Sequence, residues 1–125
     1  MTDRVKPLTL TAENFQTEVI ESKTPVLVDV WAAWCGPCRV VNPIVEEIAA
    51  NFAGRATVGK LNIDEYGEIA SRYQVQAIPT LLFFQNGVVV DRVVGVVGAK
   101  AIAQKLNALL EPAADRVEFV RRRRS

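Results

Sequence analysis

Cys35 and Cys38 are the only two cysteines in the 125 residues, and they stand two residues apart in Trp34-Cys35-Gly36-Pro37-Cys38. Cysteines at that spacing can close a small disulfide ring and reopen it. The chemistry is thiol–disulfide exchange, in which a thiolate attacks a disulfide sulfur through a mixed-disulfide intermediate. The same spacing also occurs in half of a zinc knuckle and in chance pairs of buried thiols. A structural zinc takes four ligands, mostly Cys or His. This chain has no histidine at all, so zinc would need carboxylates or a second chain. The missing histidine also removes any Ser-His-Asp or Cys-His nucleophile. With a strand-like run before the pair and a helix-like run after it, redox chemistry is the favoured reading, and no metal is expected.

The motif makes the two thiols unequal. Cys35 falls at the first turn of a predicted helix, where free N–H groups and the positive end of the helix dipole stabilise a thiolate. Cys38 falls about one turn deeper. Cys35 is therefore expected to be the exposed attacker and Cys38 the buried resolver. Gly36 allows a tight turn and a close substrate, and Pro37 fits a first turn that needs no N–H from it. A buried thiol resists ionising. Asp29, on the strand leading into the motif, is placed to take the proton of Cys38, directly or through water. Burial should raise its proton affinity toward the working pH. Lys60, on the neighbouring predicted strand, is expected to limit that rise by pairing with it. The alternative for Asp29 is a structural carboxylate satisfied by hydrogen bonds.

The elements that carry these residues follow from pattern. Lys6 to Leu10 reads as an edge strand that tolerates Pro7. Thr11 reads as the cap of a helix over Ala12 to Ser22, with Phe15 and Val19 inward. Val26 to Trp31 is apolar on both faces except at Asp29, the mark of a central strand covered on both sides. Val40, Val41, Ile44, Val45, Ile48, Ala49 and Phe52 repeat at helical spacing, with Pro43 expected to kink the helix and Gly54 beyond its end. Ala56 to Ile63 is the next strand, making a strand–helix–strand crossover from Val26 to Ile63. Glu65 to Tyr73 is a short helix and Gln76 to Thr80 a loop. Thr80–Gln85 and Val88–Val94 form a hairpin about Asn86-Gly87. Ala99 to Leu110 is the last helix, burying Ile102, Leu106, Leu109 and Leu110. The order β-α-β-α-β-α-β-β-α predicts an α/β fold with a parallel half, an antiparallel hairpin and helices on both faces.

Composition sets the outer bounds. Half the residues are apolar and the net charge is +1, as expected for one globular domain with a real core. No apolar run approaches the ~18 residues that span a bilayer. Residues 1–15 hold no apolar leader core, so a cytoplasmic protein is expected. Five arginines (116 and 121–124) against Asp115 and Glu118 give residues 115–125 a net of +3, leaving −2 for residues 1–114. Neither figure points to nucleic acid as a partner. The division is a domain over 1–111 and a basic tail over 112–125, expected to be disordered and solvated. Electrostatic attachment to an acidic protein, a membrane surface or nucleic acid is the alternative use of that tail.

At this point the chain resembles the thioredoxin family. The likeness rests on Val26-Leu27-Val28-Asp29, Trp31-Ala32, Trp34-Cys35-Gly36-Pro37-Cys38, Pro43, Lys60-Leu61-Asn62, Asp64, Ile78-Pro79-Thr80-Leu81, Asn86-Gly87 and Val94-Gly95, and it covers about residues 5–110. It implies a mixed five-stranded sheet flanked by four helices and a general protein-disulfide reductase acting as a monomer. It implies no cofactor beyond a redox-active Cys35–Cys38 disulfide. The implied partners are disulfide-containing target proteins and a dedicated NADPH- or ferredoxin-linked thioredoxin reductase. It implies that Ile78-Pro79 is a cis peptide against the cysteines, with an extended substrate bonding to the backbone beside it. The surrounding surface would be Trp34, Gly36, Pro37, Ile63, Ala77, Ile78, Val94, Gly95 and Val96, an apolar patch suited to varied proteins. Gly36-Pro37 between the cysteines resembles the reducing members. Ala77 stands where relatives often carry Gly, which narrows the groove, and Gly98 is a weaker helix cap than Ser or Thr. A binding subunit that keeps the fold without the chemistry, and an oxidase or isomerase, are the competing functions.

Overall fold

A computed structural model describes residues 5–111. The tail read from the sequence, residues 112–125, lies outside the described residues. Five strands form one sheet: β1 (Leu8–Thr9), β2 (Val26–Trp31), β3 (Thr57–Asn62), β4 (Thr80–Gln85) and β5 (Val88–Val94). Three α-helices, α1 (Gly36–Asn51), α2 (Ile63–Arg72) and α3 (Ala99–Leu110), and a π-helical turn, Gln16–Ile20, cover its faces. The sheet order is β1-β3-β2-β4-β5. β1, β3 and β2 are mutually parallel neighbours, β4 runs antiparallel to β2, and β5 antiparallel to β4. The expected mixed five-stranded sheet flanked by four helices is the observed architecture.

The first helix departs from its pattern. Thr11 does begin it: its hydroxyl accepts the Asn14 N–H at 3.2 Å while the Asn14 side chain accepts the Thr11 N–H at 2.7 Å, a reciprocal cap. The body then widens, with the Glu21 N–H donating to Gln16 five residues back at 2.9 Å. Phe15 and Val19 still point inward and are buried. α2 starts two residues earlier than its pattern predicts because Asn62 caps it, its side chain accepting the Asp64 N–H at 2.8 Å. It is broken at Tyr66, whose φ of −131° and ψ of 45° are not helical.

β2 is the centre of the molecule. Val26, Val28 and Val30 face one cluster with Phe15, Val19, Ile69, Leu82 and Phe84. Leu27 faces the other, with Val41, Val45 and Ile48 from α1 and Ile102 and Leu106 from α3. That two-sided burial is why β2 reads as a nearly continuous apolar run. Val40, counted with the apolar face by spacing, is 55% exposed. One residue is about 100° of helix, and that step from Val41 carries Val40 off the sheet.

Register brings distant segments to one end of the sheet. Asp29 on β2 lies across from Lys60 on β3 and Leu81 on β4, and Val30 pairs with Thr80. The end of β2 therefore meets the start of β4, so the loop that enters β4 must pass the residues that leave β2. The hairpin turn places Asn86 at φ 54° and Gly87 at φ 80°, the two left-handed positions of a two-residue loop.

Candidate active site

The cysteine pair sits where β2 ends and α1 begins. Cys35 is the cap residue of α1, extended at φ −87° and ψ 114°, and its sulfur accepts the Cys38 N–H at 3.2 Å. A helix start has four N–H groups without helical partners. One of them here is aimed at the Cys35 sulfur, and Pro37 in the first turn withdraws no donor that the helix needs. Cys35 and Cys38 are joined as a disulfide, their Cα atoms 5.3 Å apart. The expected contrast in exposure is small in this oxidised form: Cys35 is 4% exposed and Cys38 1%. Ala32 forms one buried cluster with the two cysteines, and Trp31, Ile63 and Ile78 pack against it, which accounts for the burial of Cys35. What separates the two is position, since Cys35 caps the helix and Cys38 lies within it. Among the described residues no group of three or more Cys, Asp or Glu side chains is placed to hold a metal ion.

Asp29 is fully buried, and neither carboxylate oxygen has a hydrogen-bond partner among the described residues. Burial pushes its acid up to about 6 from an ordinary 3.8, with the positive charge of Lys60 opposing the rise. The hydrogen-bonded structural carboxylate thus finds no protein partner among the described residues. Lys60 does not pair with Asp29 as expected. Its Nζ donates to Asn42 Oδ1 at 2.6 Å and lies 4.2 Å from the centre of the Trp31 ring. Asn42, on the first turns of α1, takes the ammonium that sequence spacing assigns to Asp29. Lys60 acts on Asp29 through space only.

Beside the cysteines, Ile78-Pro79 is a cis peptide, as the family resemblance implies. Ile78 packs on the cysteine cluster and Pro79 itself is buried. The Pro79 carbonyl accepts the Gly95 N–H at 2.8 Å, which ties the end of β5 to the proline loop. Gly95 holds φ 96°, a left-handed backbone that favours glycine. The Thr80 hydroxyl closes the loop from inside, donating to the Ala77 carbonyl at 2.6 Å. Ile78 makes no backbone–backbone hydrogen bond among the described residues.

The surface residues named from sequence divide between two walls. Trp34, Ile63, Ala77 and Ile78 line a groove of about 500 Å³. Val94 and Val96, 59% and 54% exposed, stand on the β5 side of Pro79. Gly36 and Pro37 are exposed at the start of α1. Trp34 is 65% exposed, yet its ring N–H is held between both oxygens of Asp64 at 3.1 and 3.2 Å. The groove also takes in Gly67, Ser71, Val75 and Gln76, which motif reasoning missed. A signal was present for two of them. Gly67 and Ser71 follow Ile63 at four-residue steps, one stripe of a helix.

Comparison with known proteins agrees with this arrangement. The thioredoxin family model matches residues 6–108. A thioredoxin of Chlorobaculum thiosulfatiphilum is 45% identical over 97 residues, covering 78% of this chain and 90% of that protein. Thioredoxin 1 of a Nostoc species is 48% identical over 97 residues, covering 78% and 91%. A thioredoxin of Mycobacterium tuberculosis is 47% identical over 109 residues, covering 86% and 94%. A helix-capping disulfide, a cis proline in the loop that enters β4 and this breadth of likeness lead to one conclusion: the chain belongs to the thioredoxin family and is a thiol–disulfide oxidoreductase.

Proposed function

We propose that the chain is a general protein-disulfide reductase, with Cys35 as nucleophile and Cys38 as resolving thiol. The observation that carries this reading is the Cys35–Cys38 disulfide at the N-terminal end of α1. In the dithiol form, the Cys35 thiolate attacks one sulfur of a target disulfide. A Cys35–target S–S bond forms, the target S–S bond breaks, and the second target sulfur leaves and takes up a proton. Cys38 then loses its proton and attacks Cys35. The mixed disulfide breaks, the target departs as a dithiol, and the two electrons it gained leave Cys35–Cys38 oxidised. The Cys38 N–H aimed at the Cys35 sulfur supports Cys35 as the stabilised thiolate.

Asp29 is the base for Cys38 in this scheme. A buried carboxylate with a pKa of about 6 and no hydrogen-bond partner among the described residues is mostly ionised at neutral pH and still takes a proton readily. Gly36, Pro37 and Lys60 tune the pair: the first two shape the helix start, and Lys60 adds a positive charge near Asp29. Trp34, Ile63, Ala77, Ile78, Pro79, Val94, Gly95 and Val96 receive the target, whose extended backbone pairs with the open backbone of Ile78. Action as a monomer is part of the same reading.

The oxidised pair is returned to the dithiol by a thioredoxin reductase, NADPH- or ferredoxin-linked, and no further cofactor is used. Disulfide-containing proteins are the targets, and a reducing cytoplasm is the setting in which such a carrier is useful. Among the described residues no helix is long and apolar enough to cross a membrane. The catalytic unit is residues 1–111, with 112–125 as an appended basic tail.

Reduced protein should reduce insulin disulfides, and Cys35→Ser should abolish this. Full activity in that variant overturns the reading. Cys38→Ser should trap mixed disulfides from a cell extract; trapping none favours the binding-subunit alternative. A strongly oxidising potential against glutathione favours an oxidase or isomerase.

A further inference from the structure

We propose that Arg92 is a positioning residue of the target cleft: from β5 it pins the Tyr73–Gln74 turn, so that the cis-proline loop is held at both ends by one strand. The inference rests on the reductase reading and adds a determinant of target binding to it.

The turn after α2 needs holding. Gln74 has φ 59°, a left-handed conformation that is strained for a residue with a Cβ. Its own N–H and that of Val75 are used locally, donating to Ser71 at 2.9 Å and Ala70 at 3.1 Å. The carbonyls of Tyr73 and Gln74 remain, pointing off the end of a helix that leaves such groups without helical donors. Arg92 supplies them. Its Nη2 donates to the Tyr73 carbonyl at 2.7 Å and its Nη1 to the Gln74 carbonyl at 3.5 Å. A guanidinium suits the place twice over: its planar fork spans two acceptors, and its charge opposes the negative end of the helix dipole.

The position of Arg92 gives this contact its meaning. In the hairpin it stands across from Leu82 on β4, inside the paired part of the sheet. Three residues further on, just past the end of β5, the Gly95 N–H holds the Pro79 carbonyl at 2.8 Å. The segment from Gln74 to Pro79 is thus fixed to β5 at its start by Arg92 and at its end by Gly95. Between these anchors lie Val75, Gln76, Ala77 and Ile78, which line the groove beside Trp34. Ile78, with no backbone–backbone bond among the described residues, is the part left open for a target. A rigid strand sets the span of the loop, and the loop presents its backbone without first having to be ordered by the target.

The test compares two disulfides: insulin turned over with dithiothreitol as the electron source, and a small disulfide given to pre-reduced protein freed of dithiothreitol, which would reduce it directly. Insulin needs the groove; dithiobis(nitrobenzoate), a small aromatic disulfide, needs only the cysteines. Arg92→Leu should raise KM for insulin roughly tenfold with kcat held, as misplacement of a binding element does. Its rate with the small disulfide and its redox potential against glutathione should match wild type. Arg92→Lys, able to reach one carbonyl, should recover part of the insulin affinity. Amide exchange at Val75 should quicken in Arg92→Leu, a readout independent of activity. Unchanged insulin KM in Arg92→Leu overturns the clamp, as does parallel slowing with both disulfides. Wild-type protein inert toward both disulfides overturns the reductase reading itself, and the clamp with it.

Discussion

Removing the charge of Asp29 should change how stability depends on pH. In the folded chain Asp29 ionises at about 6, against 3.8 for an unperturbed carboxyl. The folded state therefore holds this proton more tightly than the unfolded state does. Below pH 4 both states are protonated and Asp29 carries no electrostatic penalty. Between about pH 4 and 6 the unfolded chain ionises while the folded one does not, so stability falls as pH rises. Above 6 both are ionised and the loss is complete. Two pH units at about 1.4 kcal/mol each make it about 3 kcal/mol. Asp29→Asn keeps the shape and removes the titration. Its own fixed cost, a buried amide with no partner, does not vary with pH. The quantity to follow is the difference in unfolding free energy between variant and wild type, from urea titrations of the oxidised proteins at pH 4 to 8. It should move by about 3 kcal/mol in favour of the variant, a relative midpoint shift of roughly 1–3 M urea for a domain of this size. A difference that stays flat across this range would refute the reasoning. A shift of opposite sign would mean that Asp29 is held ionised by a partner in the fold.

Other outcomes follow from the same geometry. Lys60→Met removes the charge that holds the Asp29 acid down, so the wild-type loss of stability should extend to higher pH, read in the same urea series. Asp29→Asn should slow insulin reduction at neutral pH without loss of fold; rates equal to wild type at every pH would remove Asp29 from the proton path. Gly87→Ala should lower the thermal midpoint, by about 1–3 kcal/mol in stability, because the residue sits at φ 80° and a Cβ there would lie 2.7 Å from the Ile20 carbonyl oxygen. A midpoint equal to wild type would show that the hairpin turn shifts freely. Deleting residues 113–125 should leave insulin reduction intact, and failure of the shortened chain to fold would place the tail in the structure.

Much of the site was written in local pattern. Cys35, Gly36, Pro37 and Cys38 are adjacent in sequence, so their chemistry follows from spacing and from the helix that begins there. β2, β4, β5 and α3 appear with the predicted bounds because apolar alternation and the Asn86-Gly87 turn act over a few residues. Local pattern does not separate variants of one helix. The π-helical turn and the break at Tyr66 belong to segments whose apolar periodicity looks like that of an ordinary helix.

The sequence alone determined the identity of the reacting atoms and the order of elements around them, since both depend on neighbours along the chain. The tertiary structure decided which charges meet. Pattern paired Lys60 with Asp29 because their strands are adjacent. The fold sends the Lys60 ammonium to Asn42 and over Trp31, leaving both oxygens of Asp29 without a hydrogen-bond partner among the described residues. It also joined Pro79 to Gly95 and Arg92 to Tyr73 and Gln74. Strand pairing is encoded in register, but the reach of a long side chain depends on which acceptor the folded backbone brings within 3 Å. No run of neighbouring residues contains that distance.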